Sequence, residues 1–385
     1  MFHSMDKDDT FKCNGTSTRA GRQILLSGGG SGGHVFPALA LADELLRRGW
    51  QVSYAGHAEG PEARLVPARG IPFYALAARP VVGRDLFAQA RALVTLLRSS
   101  LSARALVRQL AVRAVAATGG YAAMPAALGA RLARRPLLLV EPNAQAGLAN
   151  RALSRLASEA AIAYAATADS LHCPSTVTGV PVRRAFHEIG PLEPRPPLRL
   201  LVLGGSQGAR QLNRMVPAAL CRLGRQTDLR VVHQSGPARL EEAQAAYAEA
   251  GLAARPGIEI VPFLDHVHTV MARCHLVISR AGAITLAELC AAGRASVLLP
   301  LGLAGGHQVD NARGLERAGA ARVLVGPDAT PEALAALLAG LFAQPVASGD
   351  DALATMAAAA RGLARRDAAA LIADRVERLA GGRRD

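Results

Sequence analysis

The chain has 385 residues, half of them apolar, which is long enough for two globular domains with cores of their own. Its formal charge of +14 suits nucleic acid, an anionic membrane surface or a phosphorylated substrate, and a compositional bias toward arginine explains it equally well. Only 4% of the residues are aromatic and no RNP-type or zinc-finger pattern occurs, so a base-stacking platform is excluded and no nucleic-acid partner is expected.

The cysteines, histidines and apolar runs argue against three further classes. The five cysteines are scattered, with no C-x-x-C pair, which speaks against a disulfide framework and against structural zinc. His266 and His268 are two residues apart. On a helix this spacing turns their side chains to different faces, so they are not expected to bind one metal ion. Glycine and proline interrupt the two longest uncharged stretches, so no transmembrane helix is expected.

Residues 1–20 are polar and charged, which predicts a flexible tail and not a signal peptide. Between residues 21 and 185 short apolar runs alternate with helical patterns. The predicted strands are QILLS, QVSYAG, IPFYAL, RAVAATG, PLLLVEP and AAIAYAA. Strands that alternate with helices in this way are typical of a parallel sheet, so this segment is predicted to form the first domain.

A proline-rich, charged segment at 186–197, FHEIGPLEPRPP, is the predicted linker. A second alternating series follows at 198–350, with strands LRLLVLGG, LRVVHQSG, IEIVPF, HLVIS, RASVLLPL and ARVLVG. Residues 351–385 form a predicted helical tail. The predicted fold class is therefore α/β, with two Rossmann-like parallel-sheet domains separated by a cleft.

Each half begins with a glycine-rich loop between a strand and a helix. The loops are GGGSGG at Gly28–Gly33 and GGSQGA at Gly204–Ala209. Such loops present backbone N–H groups at a helix N-terminus, where the macrodipole favours a phosphate. A tight structural turn is the alternative for the first loop. A dinucleotide site is disfavoured, because QVSYAG runs into His57 and Ala58 where a ribose would require an acidic residue.

Polar side chains follow the strands on both sides of the predicted cleft. His34 stands just after the first loop, where its side chain reaches the cleft, and Ser206 and Gln207 occupy the second loop. The other candidates carry amide, imidazole or guanidinium groups, which suit sugar hydroxyls and phosphates: Asn143, Arg183, His307, Gln308 and Asn311.

Glu288, in SRAGAITLAELCAAG, has two interpretations. Thr285 and Glu288 stand three apart, which is the spacing of a capping box in a helix that begins near Thr285. Alternatively, Ala283–Leu286 is an anion-binding helix start, and the Glu288 carboxylate accepts hydrogen bonds from vicinal sugar hydroxyls.

With these motifs in place, the chain resembles the MurG family, the bacterial undecaprenyldiphospho-muramoylpentapeptide β-N-acetylglucosaminyltransferases. The matching stretches occur in the family's order between Gln23 and Ala321: GGGSGGHVFPALALA, TGGYAAMPAALGA, EPNAQAGLANR, LVLGGSQGARQLN, HQSG, SRAGAITLAELCAAG and HQVDNARGLERAGAA. The resemblance implies a GT-B fold and an inverting sugar transfer without metal or cofactor. It also implies UDP-N-acetylglucosamine as donor, lipid I as acceptor, lipid II as product, and a peripheral location at the cytoplasmic face of the inner membrane.

The resemblance also implies roles for individual residues. His34 and Glu288 are the implied catalytic residues, and an imidazole near its ordinary pKa suits His34 as general base for the acceptor's carbon-4 hydroxyl. The acceptor diphosphate is implied to lie at Gly29, Gly30, Ser31 and Gly32. The donor is implied to contact residues from both halves: Ser31, Gly32, Gly33, Asn143, Arg183, Ser206, Phe263, Leu264, Ala283, Ile284, Thr285, Leu286, Ala287, Glu288, His307 and Gln308.

Three positions depart from the family pattern. Pro142 stands where the family has Gln, and Val180 stands where it has Asn. Gly305 and Gly306 replace polar residues before His307. This replacement is expected to affect how strictly the site selects its donor sugar. The alternatives are another GT-B UDP-sugar glycosyltransferase with a different lipid or small-molecule acceptor, a UDP-sugar epimerase, an NAD(P)-dependent oxidoreductase, and a silent UDP-sugar-binding module.

One segment is relevant to the prediction that an anionic membrane surface is a partner. Ala90–Leu110 alternates apolar groups and arginine at helical spacing. The pattern predicts either a helix that lies on the membrane or a helix packed on the sheet with its arginines in solvent.

Overall fold

The computed structural model describes residues 22–79, 86–192, 195–224, 228–301, 307–343 and 351–381, with the side chains of 86–88 and 307 left aside. The predicted tail at 1–20 and the Gly305–Gly306 departure lie outside these residues. The described chain forms two parallel sheets of seven and six strands with helices on their faces. The α/β prediction with two Rossmann-like sheets is confirmed.

The first sheet has the strand order β3-β2-β1-β4-β5-β6-β7. Its strands are β1 (Gln23–Ser27), β2 (Gln51–Gly56), β3 (Phe73–Ala75), β4 (Val112–Ala117), β5 (Leu137–Glu141), β6 (Glu159–Ile162) and β7 (Ser175–Val177). Consecutive residues of β1 are fully buried, because helices cover both faces of the sheet. β7 was not predicted, since STV is too short and too polar to form an apolar run.

Helices cover this sheet on both faces. They are α1 (Gly32–Arg47), α2 (Glu62–Leu65), α3 (Leu86–Gln109), α4 (Met124–Leu132) and α5 (Leu148–Leu153). In α1, Val35, Leu39, Ala42 and Leu45 recur at helical spacing and are buried against one face of the sheet. α3 and α4 pack on the opposite face.

The second sheet has the order β10-β9-β8-β11-β12-β13. After the short helix α6 (Arg184–His187), its strands are β8 (Leu198–Leu203), β9 (Leu229–Gln234), β10 (Ile258–Val261), β11 (Leu276–Ser279), β12 (Ala295–Leu298) and β13 (Ala321–Val323). Its helices are α7 (Arg210–Arg222), α8 (Leu240–Glu249), α9 (Val267–Arg273), α10 (Ala283–Ala292), α11 (His307–Arg317) and α12 (Pro331–Phe342). All six predicted strands of this half are present with shorter bounds.

The last two helices connect the halves a second time. α13 (Ala352–Gly362) packs on the second sheet, whereas α14 (Ala368–Gly381) crosses back to the first. Ile372 and Val376 of α14 are fully buried in the core around α1. Arg48 donates to Asp374 at 2.6 Å and to Glu377 at 2.9 Å, which fixes α14 against the end of α1.

The register brings equivalent strand ends to one edge of each sheet. Ser27 of β1 lies opposite Ala55 of β2 and Ala117 of β4, and Leu203 of β8 lies opposite Gln234 and Ser279. The loops that follow these strands therefore meet at the carboxyl edge, where α/β sheets bind ligands. Among the described residues, no helix is long and apolar enough to cross a bilayer.

Candidate functional site

The two glycine loops face each other across the cleft. A Cβ atom on Gly32 would lie 4.0 Å from the Cβ atom of Ser206, so the first turn of α1 and the second loop approach one another closely. Other contacts also span the cleft: Gln145 donates to Asp310 at 3.0 Å and the Ala144 amide donates to Asn311 Oδ1 at 3.3 Å.

A buried carboxylate organises the first loop. Gly30 has a positive φ of 80°, which only glycine adopts freely, and the Gly30 amide donates to Glu62 Oε2 at 3.2 Å. Glu62 is fully buried and also accepts from the His57 amide at 3.0 Å. A side chain at Gly29 would collide with this carboxylate. The Gly30 amide, predicted to face a diphosphate, is thus bonded to the protein's own carboxylate.

His34 lies at the wall of a cavity of about 440 Å³. Its Nδ1 atom is 2.9 Å from the Thr118 carbonyl oxygen. A carbonyl only accepts, so Nδ1 carries the proton and Nε2 is the basic nitrogen. Burial lowers the pKa of His34, while the Thr118 carbonyl, Glu141 and Glu62 oppose that shift. The ring is therefore neutral at neutral pH and available as a proton acceptor.

A second buried carboxylate holds the loop after β5. Glu141 Oε1 accepts from the amide of Asn143 at 3.0 Å and from its side chain at 2.9 Å. Glu141 Oε2 accepts from the Gly147 amide and from Asn150, both at 2.9 Å. The predicted Asn143 therefore borders the His34 cavity in a fixed position.

Sequence reasoning missed Glu62 and Glu141 as organising residues. The sequence did indicate that Glu141 needs hydrogen-bond partners, because it is an acidic residue at the end of a buried apolar run. No such indication existed for Glu62, since its partner Gly30 lies 32 residues away.

Neutral side chains organise the second loop. Gln234 donates to the Gly205 carbonyl at 3.0 Å, and Asn213 donates to the Ser235 carbonyl at 3.1 Å. Behind them, His233 is fully buried between Tyr247 and Asn213, at 3.0 and 3.1 Å. Ser206 is left in the loop, where it faces the first turn of α1.

The capping-box interpretation of Glu288 is wrong. α10 begins at Ala283 with Gly282 as N-cap, two residues before the predicted start, and no side chain caps it. Thr285 lies inside the first turn, and the buried Glu288 accepts from Arg183 at 2.8 Å. Burial raises the pKa of Glu288 and the Arg183 guanidinium opposes the shift.

Arg183 lies between β7 and α6, in the segment 178–197 that connects the two sheets, and contacts both halves. Its guanidinium lies 4.6 Å from the Phe36 ring centre on α1 and 4.8 Å from that of Phe186 on α6. The same guanidinium forms an ion pair with Glu288, so α10 also contacts Arg183. The two predicted donor residues Arg183 and Glu288 are therefore brought together by the fold.

The remaining predicted residues follow β10 and begin α11. Phe263 lies under the Arg64 guanidinium, 5.6 Å from the ring centre, and Leu264 packs on the second core. Gln308 Oε1 accepts from the Leu301 amide at 3.1 Å. His307 begins α11, with its side chain outside the described residues. The described residues hold no group of three His, Cys, Asp or Glu that fits a metal ion.

The comparisons with known proteins agree with this architecture. The glycosyltransferase family 28 N-terminal domain matches residues 24–162, and the glycosyltransferase family 28 C-terminal domain matches residues 199–372. The chain is 44% identical to the UDP-N-acetylglucosamine--N-acetylmuramyl-(pentapeptide) pyrophosphoryl-undecaprenol N-acetylglucosamine transferase of Sorangium cellulosum, over 91% of this chain and 86% of that one.

Two further relatives give the same result. The same-named transferase of Halorhodospira halophila is 42% identical over 94% of this chain and 99% of that one. The crystal structure of Acinetobacter baumannii MurG is 33% identical and superposes with a TM-score of 0.71, covering 93% of this chain and 99% of that chain. The fold is thus GT-B, and the chain belongs to glycosyltransferase family 28 and, within it, to the MurG family.

Proposed function

We propose that the chain transfers N-acetylglucosamine from UDP-N-acetylglucosamine to the carbon-4 hydroxyl of the muramoyl sugar of lipid I, which forms lipid II. One observation carries the proposal: the first turn of α1, which bears the neutral His34, closely approaches the serine-containing glycine loop of the second half. This approach supports a proton acceptor on one side of the cleft and anion-binding groups on the other.

The donor lies mainly on the second half. The diphosphate lies at the first turn of α10, Ala283–Leu286, and at Ser206, where free N–H groups and a hydroxyl meet it. Glu288, positioned by Arg183, accepts from the ribose hydroxyls. Phe263 and Leu264 provide the apolar surface for the uracil, and His307 and Gln308 at the start of α11 meet the sugar.

The acceptor lies in the cavity beside His34. Its walls combine the apolar Leu148 and Met124 with Tyr121 and Asn143, which suits a sugar-linked peptide better than a free nucleotide. The acceptor diphosphate lies along Gly29–Gly32. Because the Gly30 amide is engaged with Glu62, the amides of Ser31 and Gly32 at the start of α1 are the better donors.

The reaction is one inverting displacement. The acceptor oxygen forms a bond to the anomeric carbon while the bond from that carbon to the diphosphate breaks, and the hydroxyl proton passes to His34 Nε2. The N-terminus of α10 and Ser206 stabilise the negative charge that develops on the departing UDP. Every step uses groups of this chain alone.

UDP release by the purified protein tests the proposal. UDP-N-acetylglucosamine is supplied with and without a lipid I analogue, and release is expected only with the analogue. Donor binding without release would transfer the assignment to another acceptor or to a silent module. Failure to bind the donor would overturn the proposal.

The anionic membrane surface is proposed as a partner through α3. One face of α3 is buried on the sheet through Ala103 and Val107. The opposite face presents Leu93, Val94, Leu97 and Leu101, each 48 to 58% exposed, beside exposed Arg91 and Arg98. Apolar side chains rimmed by arginine are typical of a helix that lies in an anionic bilayer interface.

Vesicle flotation tests this contact. Leu97→Glu is expected to reduce flotation with anionic vesicles, and Leu46→Glu, an exposed leucine on the opposite face of the sheet, serves as the matched control. Equal flotation of the two variants would assign the membrane contact to another surface.

A further inference from the structure

A second cavity lies between the two halves, against the face of α10 that carries Ala283, Leu286 and Cys290. This hinge cavity has a volume of about 250 Å³ and is lined by Tyr164 after β6, Val180 and His187 of the connecting segment, Cys290 of α10, Gly314 of α11 and Arg365 before α14. On α10, Ala283, Leu286, Ala287 and Cys290 form one helical stripe toward it. Glu288 lies on the other side of that helix, so the hinge cavity is separate from the donor ion pair.

Much of the wall of the hinge cavity is apolar. Val180 contributes an alkyl group, and Leu315 and Leu363 add more. Burial raises the pKa of the Cys290 thiol to about 12 and raises the pKa of Tyr164, as loss of hydration predicts. A cavity of this kind accepts apolar groups, since an apolar space of about 150 Å³ already holds a benzene-sized molecule.

The rim of the hinge cavity is cationic. Arg365 lines it, and Arg361 and Arg366 stand close enough to add to the effect of burial in lowering the pKa of His187. His187 Nδ1 is buried and has no hydrogen-bond partner among the described residues. No carboxylate belongs to the described lining. The Arg365 guanidinium, with the His187 imidazole beside it in the lining, favours an anionic oxygen at the rim.

We propose that the hinge cavity binds a small amphiphilic carboxylate, such as a medium-chain acyl or aromatic acid. Its apolar part fills the space between Val180 and Cys290, and its carboxylate accepts from His187 and Arg365. The lining comes from both halves and from both segments that connect them, so an occupant links the halves directly. The ligand is therefore a regulator of domain movement, and it shares Ala283 and Leu286 of α10 with the proposed donor site.

Direct titration with octanoate tests this proposal, with 1-octanol as the matched uncharged probe. Octanoate is expected to bind one saturable site on the full chain, and 1-octanol to bind about tenfold or more weakly because it lacks the charge-assisted hydrogen bonds. The measurement is calorimetric and needs no acceptor lipid, so its outcome is independent of the proposed transferase activity.

Two variants locate the site. A Cβ atom at Gly314 meets nothing within 4 Å, so Gly314→Leu fills the cavity without a clash, and Gly314→Ala is the matched control. Gly314→Leu is expected to abolish octanoate binding and Gly314→Ala to retain it. Arg365→Met, at an exposed position, is expected to weaken octanoate binding about tenfold with little effect on 1-octanol.

Other outcomes would overturn the proposal. Equal octanoate binding by the wild-type chain and by Gly314→Leu would place the probe elsewhere, for example on α3 or in the His34 cavity. Equal affinity for octanoate and 1-octanol would remove the anionic recognition. Absence of saturable binding to the wild-type chain would remove the site.

Discussion

His34 and His233 stand beside the two glycine loops, one in each half, and burial lowers the pKa of both. Around His34 the Thr118 carbonyl, Glu141 and Glu62 oppose the shift. Around His233 the hydrogen-bond partners are the neutral Tyr247 and Asn213, and burial lowers the pKa to about 4. Carboxylates near a buried imidazole therefore preserve part of its basicity, whereas an imidazole with only neutral partners loses more of it.

The loops themselves repeat this contrast. Glu62 and Glu141 hold the first half by accepting from backbone amides, whereas Gln234 and Asn213 hold the second half by donating to backbone carbonyls. A proton acceptor benefits from negative charge behind it. The neutral partners of the second loop add no such negative charge near Ser206, where the donor diphosphate is proposed to lie.

Replacement of His34 has the largest expected effect. His34→Ala is expected to lower kcat about 10²- to 10⁴-fold, because general-base catalysis contributes that much. UDP affinity should stay unchanged, since the donor is proposed to lie mainly on the other half. Single-turnover kinetics and UDP titration measure the two quantities, with His34→Gln as the variant that keeps a polar side chain. A kcat close to that of the wild type would remove His34 from the role of base.

The buried ion pair of Arg183 and Glu288 is the exception to a neutral second half. Arg183→Met strands a buried carboxylate and is expected to lower the free energy of unfolding by about 3–5 kcal/mol. It is also expected to raise the donor KM. The double variant Arg183→Met/Glu288→Leu should recover stability in urea denaturation without recovering donor affinity. Recovery of both would make the pair purely structural.

Glu141 tests the role of carboxylates in the first half. Glu141→Ala leaves the amides of Asn143 and Gly147 without their acceptor and is expected to lower kcat/KM about 100-fold, as a displaced site loop does. Glu141→Gln keeps one acceptor oxygen and should lose less. Steady-state kinetics of the two variants measure the effect, and equal activity of Glu141→Ala and the wild type would contradict it.

The Glu141→Gln variant also reports on the base. The negative charge of Glu141 raises the pKa of His34, so its removal should lower that pKa further. The proposed mechanism needs neutral His34, so catalysis is expected to fail as pH falls through the pKa of His34. The acid limb of the kcat/KM profile is therefore expected to move to lower pH, and a shift to higher pH would contradict the proposed electrostatics.

Much of the fold could be predicted because it depends on local patterns. Apolar runs bounded by glycine mark β1 and β8, and the glycine loops locate the two edges that meet in the cleft. His34 follows its loop directly, so the sequence was sufficient to single it out. The start of α10 at Ala283 agrees with the interpretation of Ala283–Leu286 as a helix start. The capping-box interpretation put the start near Thr285, because Thr285 and Glu288 have the spacing of a cap that the tertiary structure does not use.

The parts that could not be predicted depend on distant partners. Arg183 and Glu288 are 105 residues apart, and either side chain alone is compatible with solvent. Glu62 looks like an ordinary first-turn residue of a short helix until the fold places it under Gly30. Spacing reveals a residue's helix face, but it does not reveal which backbone amide of another element the side chain meets.

The smallest expected effect is on the pH dependence of stability, and it comes from the neutral side chains around His233. The unfolded chain takes up a proton on this histidine near pH 6.5, whereas the folded chain resists protonation until about pH 4, so its contribution to stability is complete above pH 6.5 and is lost as pH falls toward 4. Between pH 7 and pH 5 the loss is about 2 kcal/mol. His233→Gln retains the polar contacts but does not titrate. Between pH 7 and pH 5, the free energy of unfolding of this variant, measured by urea denaturation, should therefore fall by about 2 kcal/mol less than that of the wild type. Equal pH dependence in the two proteins would mean that His233 accepts a proton in the folded state. The contrast with His34 would then no longer hold, because the neutral half would also keep its histidine basic.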